Sequence, residues 1–569
     1  MPIPYWDSSY AVFDSAIAAS LSSSVEIEAT LRSHFERRRL AHRGKGRTLI
    51  EGTVPKNATS SSSHPLEYIF HPRSIAVVGI SEDLPKLWIR RLYLDSLVQS
   101  KFPGQLYLVN PRGGEMAGFP IYHTLTEIPG PVDHVVVSIP AKYTPALLEE
   151  CRAKEVKVVH VFSSGYAETG EPDRIELQNK LVEIARQGNM RIIGPNCLGI
   201  YYPRGKIGLS PDFPMDAGSI GYLCQSGGNV DFAVRHATAR GLRFSKVVSY
   251  GNASDINECD LLDYFSWDPE TKVIAAYIEG ITDGRRFAQA LKKAAAAKPV
   301  VVFKGGYTAG GLRAAASHTG SLAGADDVWS GLLRQGGAIR VYSIEEMVDM
   351  LMALLRVTPP RGVNTCVLGH GGGASVMATD EVERAGLRMA PMPTAIREQM
   401  KEFIDLANSM LRNPVDVSPL VTDGFPLLRN MGQRKPVDIL RESASTNLGG
   451  GWGRLLQMLK EWPDLDLVVF QHGFDISPMP IDDFIVIGSV GLLVLAAREC
   501  QMPKAIVLHS MGNDQAWRSS ESLRGLCAEF GLPLFLSMRG AASAIRKLIE
   551  FNRAYPERLV GVRDQLPGA

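Results

Sequence analysis

Three short stretches of this chain combine residue types and spacings that can do chemistry. The first is Arg313-Ala314-Ala315-Ala316-Ser317-His318-Thr319-Gly320-Ser321-Leu322-Ala323-Gly324, with a single imidazole at its centre. Imidazole nitrogen is a good nucleophile and proton acceptor near neutral pH. Val300–Lys304 before it reads as a buried parallel strand, and Ala325–Leu333 after it reads as the start of a helix. The pattern therefore predicts a long loop at the carboxyl end of a strand, the edge where open parallel sheets bind ligands. Gly305, Gly306, Gly310, Gly311 and Gly320 allow such a loop to move. The second stretch is Gln225-Ser226-Gly227-Gly228-Asn229, which opens a helix after the strand Ile220–Cys224. Unpaired N–H groups at Ser226, Gly227 and Gly228 suit an anion, although Ser226 read alone is also an ordinary helix cap. The third is Gly251-Asn252-Ala253-Ser254-Asp255-Ile256-Asn257-Glu258-Cys259-Asp260, a glycine-asparagine turn leading into an acid-rich helix start. Read alone, those acids are favourable charges at a helix N-terminus.

The elements that hold these stretches follow from the periodicity. From Ile69 onward, short apolar strands alternate with helices, the signature of parallel sheets. Ser74–Val78, Leu106–Val109, His134–Ile139 and Val158–Phe162 form one βαβ series, each strand ending in a small or polar turn. Ile220–Cys224, Phe244–Ser249, Val273–Glu279 and Val300–Phe303 form a second. Cys366–Leu368, Leu467–Phe470, Ala505–Leu508 and Leu534–Leu536 form a third, opened by the turn Gly369-His370-Gly371-Gly372-Gly373. That last turn resembles a lipase oxyanion loop, but no G-x-S-x-G elbow accompanies it, so it reads as an anion-binding glycine turn with His370 in a structural role.

At 569 residues the chain is too long for one core. Its 45% apolar and 21% charged content is that of a globular protein, and a net charge of +1 gives no field favouring nucleic acid or a membrane surface. The seven cysteines contain no C-x-x-C pair, so reduced thiols in the cytoplasm are expected and no metal site is. The apolar run Phe484–Ala497 falls short of the roughly 18 to 20 residues a bilayer span needs and reads as a buried helix. The N-terminus lacks a secretory pattern. Residues before about Ser63 read as an extension, basic at Arg37–Arg47, with a serine-rich joint at Thr59–Ser63.

The run Ser317-His318-Thr319-Gly320-Ser321-Leu322-Ala323-Gly324 resembles the phosphohistidine loop in the alpha part of the ADP-forming acyl-CoA synthetases, relatives of succinyl-CoA synthetase. Ser226-Gly227-Gly228 matches the turn that receives the phosphoryl group in that family. Cys224 stands where the family has a serine, which removes one possible donor. The resemblance implies that Glu258 is the carboxylate that bonds the catalytic imidazole, with Asp255 as the competing candidate. VVGIS, LVNPR, VSIPA and IIGPNCLG look like the family's CoA-binding domain. The resemblance thereby implies that Gly79, Ser81, Lys86, Asn110, Pro111, Ser138, Pro140 and Asn196 hold coenzyme A. The acids Glu82 and Asp83 depart from the family's glycine- and lysine-containing stretch and ought to repel phosphates if they face the site. The G-x-G-x-x-G fingerprint of NAD sites is absent.

These readings imply an α/β protein with a Rossmann-like CoA-binding domain followed by two flavodoxin-like parallel-sheet domains. The expected boundaries are an extension and linker over 1–64, the CoA-binding domain over 65–205, a succinyl-CoA-ligase-like domain with the phosphohistidine loop over 206–357, a second ligase-like domain over 358–552, and a tail over 553–569. Residues Val421–Gly453 read as an inserted loop region. The implied activity is that of an alpha-type acid–CoA ligase subunit, interconverting carboxylate, CoA and ATP with acyl-CoA, ADP and phosphate. No P-loop or ATP-grasp region is legible, so ATP or ADP and Mg²⁺ are expected on a separate ATP-grasp beta-type subunit, giving a hetero-oligomer. An ATP-independent acyl or carbamoyl transferase of the same architecture and a non-catalytic CoA-binding scaffold are the competing readings.

Overall fold

The computed structural model describes residues 64–80, 87–319, 325–404, 411–420, 438, 440, 450–473, 483–509 and 514–563. Its described residues form three largely parallel sheets in succession. The first has seven strands: β1 (Ser74–Val78), β2 (Gln105–Val109), β3 (Gly114–Met116), β4 (Phe119–Tyr122), β5 (His134–Val137), β6 (Val158–Val161) and β7 (Arg191–Ile193). Their order is β3-β4-β2-β1-β5-β6-β7, parallel throughout except for the β3–β4 hairpin. Helices α1 (Leu87–Gln99), α2 (Thr144–Ala153) and α3 (Pro172–Gln187) connect them. Strands β1, β5 and β6 are buried at every residue, which is why they read as continuous apolar runs rather than alternating ones.

The second sheet has the order β13-β12-β11-β9-β10-β8. It comprises β8 (Gly199–Tyr201), β9 (Ile220–Cys224), β10 (Phe244–Ser249), β11 (Val273–Ile278), β12 (Val300–Lys304) and β13 (Ile339–Val341). Its helices are α4 (Gly227–Thr238), α5 (Glu258–Trp267), α6 (Gly284–Ala297), α7 (Ala309–Thr319), α8 (Asp326–Gly336) and α9 (Ile344–Arg356). Only β8 runs antiparallel, along β10. It lies ahead of residue 205, where the sequence reading ended the first domain, so the chain crosses between sheets at Gly194–Leu198.

The third sheet has six strands: β14 (Asn364–Gly369), β15 (Arg388–Met389), β16 (Val415–Asp416), β17 (Leu467–Gly473), β18 (Lys504–His509) and β19 (Leu534–Phe535). Its described helices are α10 (Gly372–Arg384), α11 (Thr394–Met400), α12 (Gly450–Glu461), α13 (Asp483–Glu499), α14 (Asp514–Glu529) and α15 (Met538–Ala554). The apolar run at 484–497 is helical, as expected. Of the expected insertion over 421–453, nearly all lies outside the described residues, but Gly450–Gly453 opens α12 and buries Trp452. The expected tail is partly packed, with Val562 buried and Lys272 donating to the carbonyl of Arg563.

One core joins the second and third sheets. Helix α9 is buried along most of its length between them, contacting α4 on one side and α15 on the other. Beside it the guanidinium of Arg240, 3% exposed, donates to Asp349 on α9 at 2.6 Å and to the carbonyl of Leu534 at 2.8 and 3.1 Å. A second buried cation, Lys246 on β10, pairs with Asp268 at 2.8 Å and lies over the rings of Phe70, Tyr202 and Tyr264. Phe70 belongs to the first domain, so this cluster also bonds the first domain to the second.

The largest departure from the sequence reading concerns the histidine stretch. Residues 309–319 are a helix, not a loop. Ala309, Ala314, Ala315 and Ala316, with Leu312 and Arg313, are strong helix formers. Thr308 starts the helix, its hydroxyl accepting from Gly311 N–H at 3.1 Å and its carbonyl from Leu312 N–H at 2.7 Å. The glycines at 310 and 311 fall in the first turn, where their cost is small.

Candidate active site at the seam of the first two domains

In an open parallel sheet, ligands bind where the strand order reverses, because neighbouring connections there leave on opposite faces and open a crevice. Each sheet has one such point, and each coincides with a turn singled out in the sequence. In the first sheet it lies between β1 and β5, at Gly79 and Ser138. Gly79 has φ +97°, and a Cβ placed on it would stand 2.5 Å from the carbonyl oxygen of Ser138. Only glycine allows this approach.

Other residues assigned to coenzyme A surround that point but are spent on the turns themselves. Asn110, at the end of β2, donates its amide to the carbonyl of Ile80 and accepts from Arg112 N–H at 2.9 Å. The carbonyl of Pro111 accepts from His123 Nδ1 at 3.0 Å. Pro140 starts the short helical turn Ala141–Tyr143. Asn196 has φ +59°, a conformation asparagine tolerates, and bonds Ser163 through its backbone. Asn110 and Asn196 are thus committed to holding their own turns. Ser81 and Lys86, with Glu82 and Asp83, lie outside the described residues.

The second sheet reverses between β9 and β11. The Gln225 side-chain oxygen accepts from Gly280 N–H at 3.1 Å and also from Glu279 N–H, tying the two strand ends together. Ser226 caps α4, its hydroxyl accepting from Asn229 N–H over a long 3.4 Å. Gly228 faces open space, and a Cβ added there would meet nothing within 4 Å. A 12-residue helix beginning in this way presents free N–H groups and the positive end of its dipole to an anion. Cys224 takes no part in that cradle. It is 0% exposed, its thiol donates to the carbonyl of Ser226 at 3.0 Å, and burial pushes its pKa up to about 12. The loss of a possible donor expected at this position therefore does not reach the cradle, because the side chain is buried.

The acid start of α5 separates the two candidate carboxylates. Asp255 accepts from Arg191 Nε and from Ile192 N–H, both at 2.8 Å, and is a joint between the first and second domains. Glu258 is the first residue of α5 and 2% exposed. Among the described residues no cation pairs with it, and its side-chain neighbour is Cys259, whose thiol stands 3.9 Å away. Burial raises its carboxyl to about 7. Of the two acids, Glu258 is thus the one that no described cation holds.

The seam around Glu258 is closely locked. Asn252 N–H donates to the carbonyl of Pro195 at 2.9 Å, and Ser254 donates through N–H and hydroxyl to that of Gly194 at 3.1 and 2.8 Å. Asn252 also donates its amide to Glu168 at 2.5 Å and Gln178 at 2.9 Å. Glu168 sits in the helical turn Ala167–Thr169 of the first domain, and α7 lies against that turn. The helix ending in His318 and the helix beginning at Glu258 therefore meet the same hydrogen-bonded seam. The backbone of His318 is in the last turn of α7, while its side chain lies outside what the structure describes.

The third sheet reverses between β14 and β17, at the glycine turn before α10. Gly371, φ +90°, donates to Ser418 at 3.1 Å and to Asp416 at 3.3 Å. The His370 ring stacks on His472 with centroids 4.7 Å apart. Sequence reasoning missed His472, Asp416 and Ser418 because only the pairing of β14 with β16 and β17 brings them to His370.

A CoA-binding Rossmann sheet followed by an anion cradle with a buried carboxylate defines an acid–thiol ligase architecture. Comparison with known proteins agrees. Residues 73–203 match the family model of a CoA binding domain, and residues 217–354 that of the succinyl-CoA ligase like flavodoxin domain. The alpha subunit of acetate–CoA ligase (ADP-forming) I of Pyrococcus furiosus is 39% identical over 364 residues, covering 62% of this chain and 76% of that relative. Its isoenzyme II counterpart is 36% identical, covering 66% and 81%. A solved structure of the dinucleotide forming acetyl-coenzyme A synthetase 1 of Ca. Korarchaeum cryptofilum, in complex with phosphate and ADP, superposes with a TM-score of 0.67 at 28% identity, covering 88% of this chain and all of that one. The chain belongs to the family of ADP-forming acyl-CoA ligases and is of their alpha-subunit type.

Proposed function

We infer that this chain is the acyl-CoA-handling subunit of an ADP-forming acid–CoA ligase and that His318 carries the phosphoryl group. In the acyl-CoA-consuming direction a phosphate oxygen attacks the thioester carbonyl, the C–S bond breaks, and CoA leaves as the thiol with the phosphate's proton. The acyl phosphate then yields its phosphoryl group to an imidazole nitrogen of His318, forming N–P as P–O breaks and releasing the carboxylate. In the last step ADP takes the group as N–P breaks.

Each residue's part follows from its surroundings. The crevice at Gly79 and Ser138 admits the CoA chain, with Asn110, Pro111, Pro140 and Asn196 shaping its walls and Ser81 and Lys86 assigned to its phosphates. The N–H groups of Ser226, Gly227 and Gly228 hold the phosphoryl oxygens, stabilising charge that is greatest in transfer. Glu258 accepts the N–H of the imidazole, leaving the opposite nitrogen to attack. What supports this reading is that α7 and the turn leading to the buried Glu258 meet one seam, while the α4 cradle opens at the strand-order reversal of the same sheet.

We assign the nucleotide and Mg²⁺ to an ATP-grasp beta-type subunit. Two of the relatives are named as alpha subunits, and the chain covers only 64% of the longer acetate–CoA ligase (ADP-forming) I of Archaeoglobus fulgidus, to which it is 37% identical. Among the described residues no helix is long and apolar enough to cross a membrane, and we place the enzyme in the cytoplasm. Incubation with radiolabelled phosphate and a panel of acyl-CoAs tests the assignment without the partner. The expected product is an acid-labile phosphohistidine that His318→Ala lacks; wild-type protein that stays unlabelled with every thioester, and with ATP, Mg²⁺ and a competent partner, overturns it.

A further inference from the structure

Glu168, in the helical turn Ala167–Thr169 that follows β6, reaches both sides of the seam with one carboxylate. Its Oε1 accepts from Gly165 N–H at 2.5 Å and from Tyr166 N–H at 3.2 Å, closing the turn at the end of β6. Its Oε2 accepts the side-chain amide of Asn252 at 2.5 Å, across 84 positions and from the second domain. The same amide donates to Gln178 on α3 at 2.9 Å, and Asn252 N–H donates to the carbonyl of Pro195 at 2.9 Å. Bonds to a carboxylate are stronger than those between neutral groups, so Glu168 gives Asn252 its firmest hold.

The turn that Glu168 closes touches residues assigned to coenzyme A. The carbonyl of Ser163 accepts from Asn196 N–H at 3.1 Å. Gly165, φ +102°, lies against Ala141, one residue beyond Pro140, and a Cβ added to it would meet the Ala141 methyl at 3.6 Å. On the far side Asn252 opens the turn that leads to α5 and its first residue, Glu258. Helix α7, which carries His318 in its last turn, rests on the helical turn of Glu168 itself. The seam is already fastened by Arg191 with Asp255 and by the bonds from Asn252 and Ser254 to the carbonyls of Pro195 and Gly194. What Glu168 adds is the spacing between the crevice turn and the Glu258 turn.

We propose that Glu168 is a positioning residue, one that fixes the Glu258 turn and the bed of α7 relative to the CoA crevice. The carrier imidazole is thereby aligned with the acyl phosphate where it forms. This rests on the assignment of His318 as the carrier. Transfer between bound groups is sensitive to displacements of about 1 Å, the scale on which a turn shifts when its anchor is lost. Filling the crevice steadies the Glu258 turn through the same carboxylate.

Glu168→Gln and Asn252→Asp test this singly and together. Glu168→Gln keeps a carbonyl oxygen for Gly165 and Tyr166 N–H but sets its amide against that of Asn252, donor against donor. The rate of phosphohistidine formation per folded molecule at saturating acyl-CoA falls by about ten- to a hundredfold, while the acyl-CoA concentration that gives half the rate stays unchanged. Asn252→Asp sets carboxylate against carboxylate and lowers the rate likewise. The double variant rebuilds the bond with donor and acceptor exchanged and recovers most of the rate. Single variants with lower melting temperatures but wild-type rates, or a double variant no faster than the slower single one, overturn the proposal. Absence of labelling in wild type overturns the carrier assignment instead, and amide hydrogen exchange then decides the part played by Glu168. Bound CoA slows exchange over residues 250–258 in wild type and in the double variant but in neither single one; a response to CoA that is the same in every variant overturns the proposal.

Discussion

At the scale of single residues, the site sets stability against function. Burial raises the Glu258 carboxyl to about 7 from an ordinary 4.5. Across that window the folded protein keeps a proton that the unfolded chain releases, so stability falls as pH rises from about 4.5 to about 7. Glu258→Gln removes this titration. Its stability exceeds that of wild type at pH 8 by about 3 kcal/mol, and the difference vanishes near pH 4.5 in calorimetric scans. The same variant loses phosphohistidine labelling. Asp255→Asn gives the opposite pattern, because it breaks the joint with Arg191 and Ile192 N–H: stability falls by about 1 to 3 kcal/mol in urea unfolding, and labelling per folded molecule is kept. Which of these acids was free could not be read from the sequence. Both stand at a helix start, and only the fold brings Arg191, 64 positions away, to one of them.

At the scale of elements, the strands were legible and one helix was not. Parallel strands buried on both faces leave unbroken apolar runs such as Ser74–Val78 and Val300–Lys304, and these appear in the structure as read. Short edge strands such as β8 and β16 have no such signature, since pairing rather than composition makes them. The histidine segment misled because its glycines suggested a loop while its alanines decided for a helix. The switch points behave differently again: the turns were visible as glycine-rich punctuation, but strand order alone says which pair of turns forms a crevice. Gly79→Ala examines that directly. A Cβ at φ +97° and 2.5 Å from the Ser138 oxygen must displace the turn, at a cost of about 1 to 3 kcal/mol. The KM for CoA rises at least tenfold, whereas Gly228→Ala, which meets nothing within 4 Å, leaves it unchanged.

At the scale of the whole molecule, the domains are joined by buried polar contacts as well as by apolar packing. Lys246 and Asp268 are 1% and 2% exposed at the side chain, and removing one partner strands the other in a low-dielectric interior. Lys246→Met therefore costs about 3 to 5 kcal/mol, measured by urea unfolding at pH 7, and Lys246→Met with Asp268→Asn recovers part of it. Arg240→Met leaves Asp349 and the Leu534 carbonyl without their donor. It loosens the third domain from the second, which limited proteolysis detects as earlier cleavage between residues 357 and 364. None of these joints was foreseeable, because their members are separated by up to 294 positions.

The position of His318 in the last turn of α7 has one more consequence. The end of a helix carries unpaired carbonyls that sum to about half a negative charge. If His318 is the carrier, as proposed, loading adds negative charge to a segment that ends a helix, like sign against like. The loaded segment is then expected to be less firmly wound than the empty one, so that the cargo itself would favour release of the helix end.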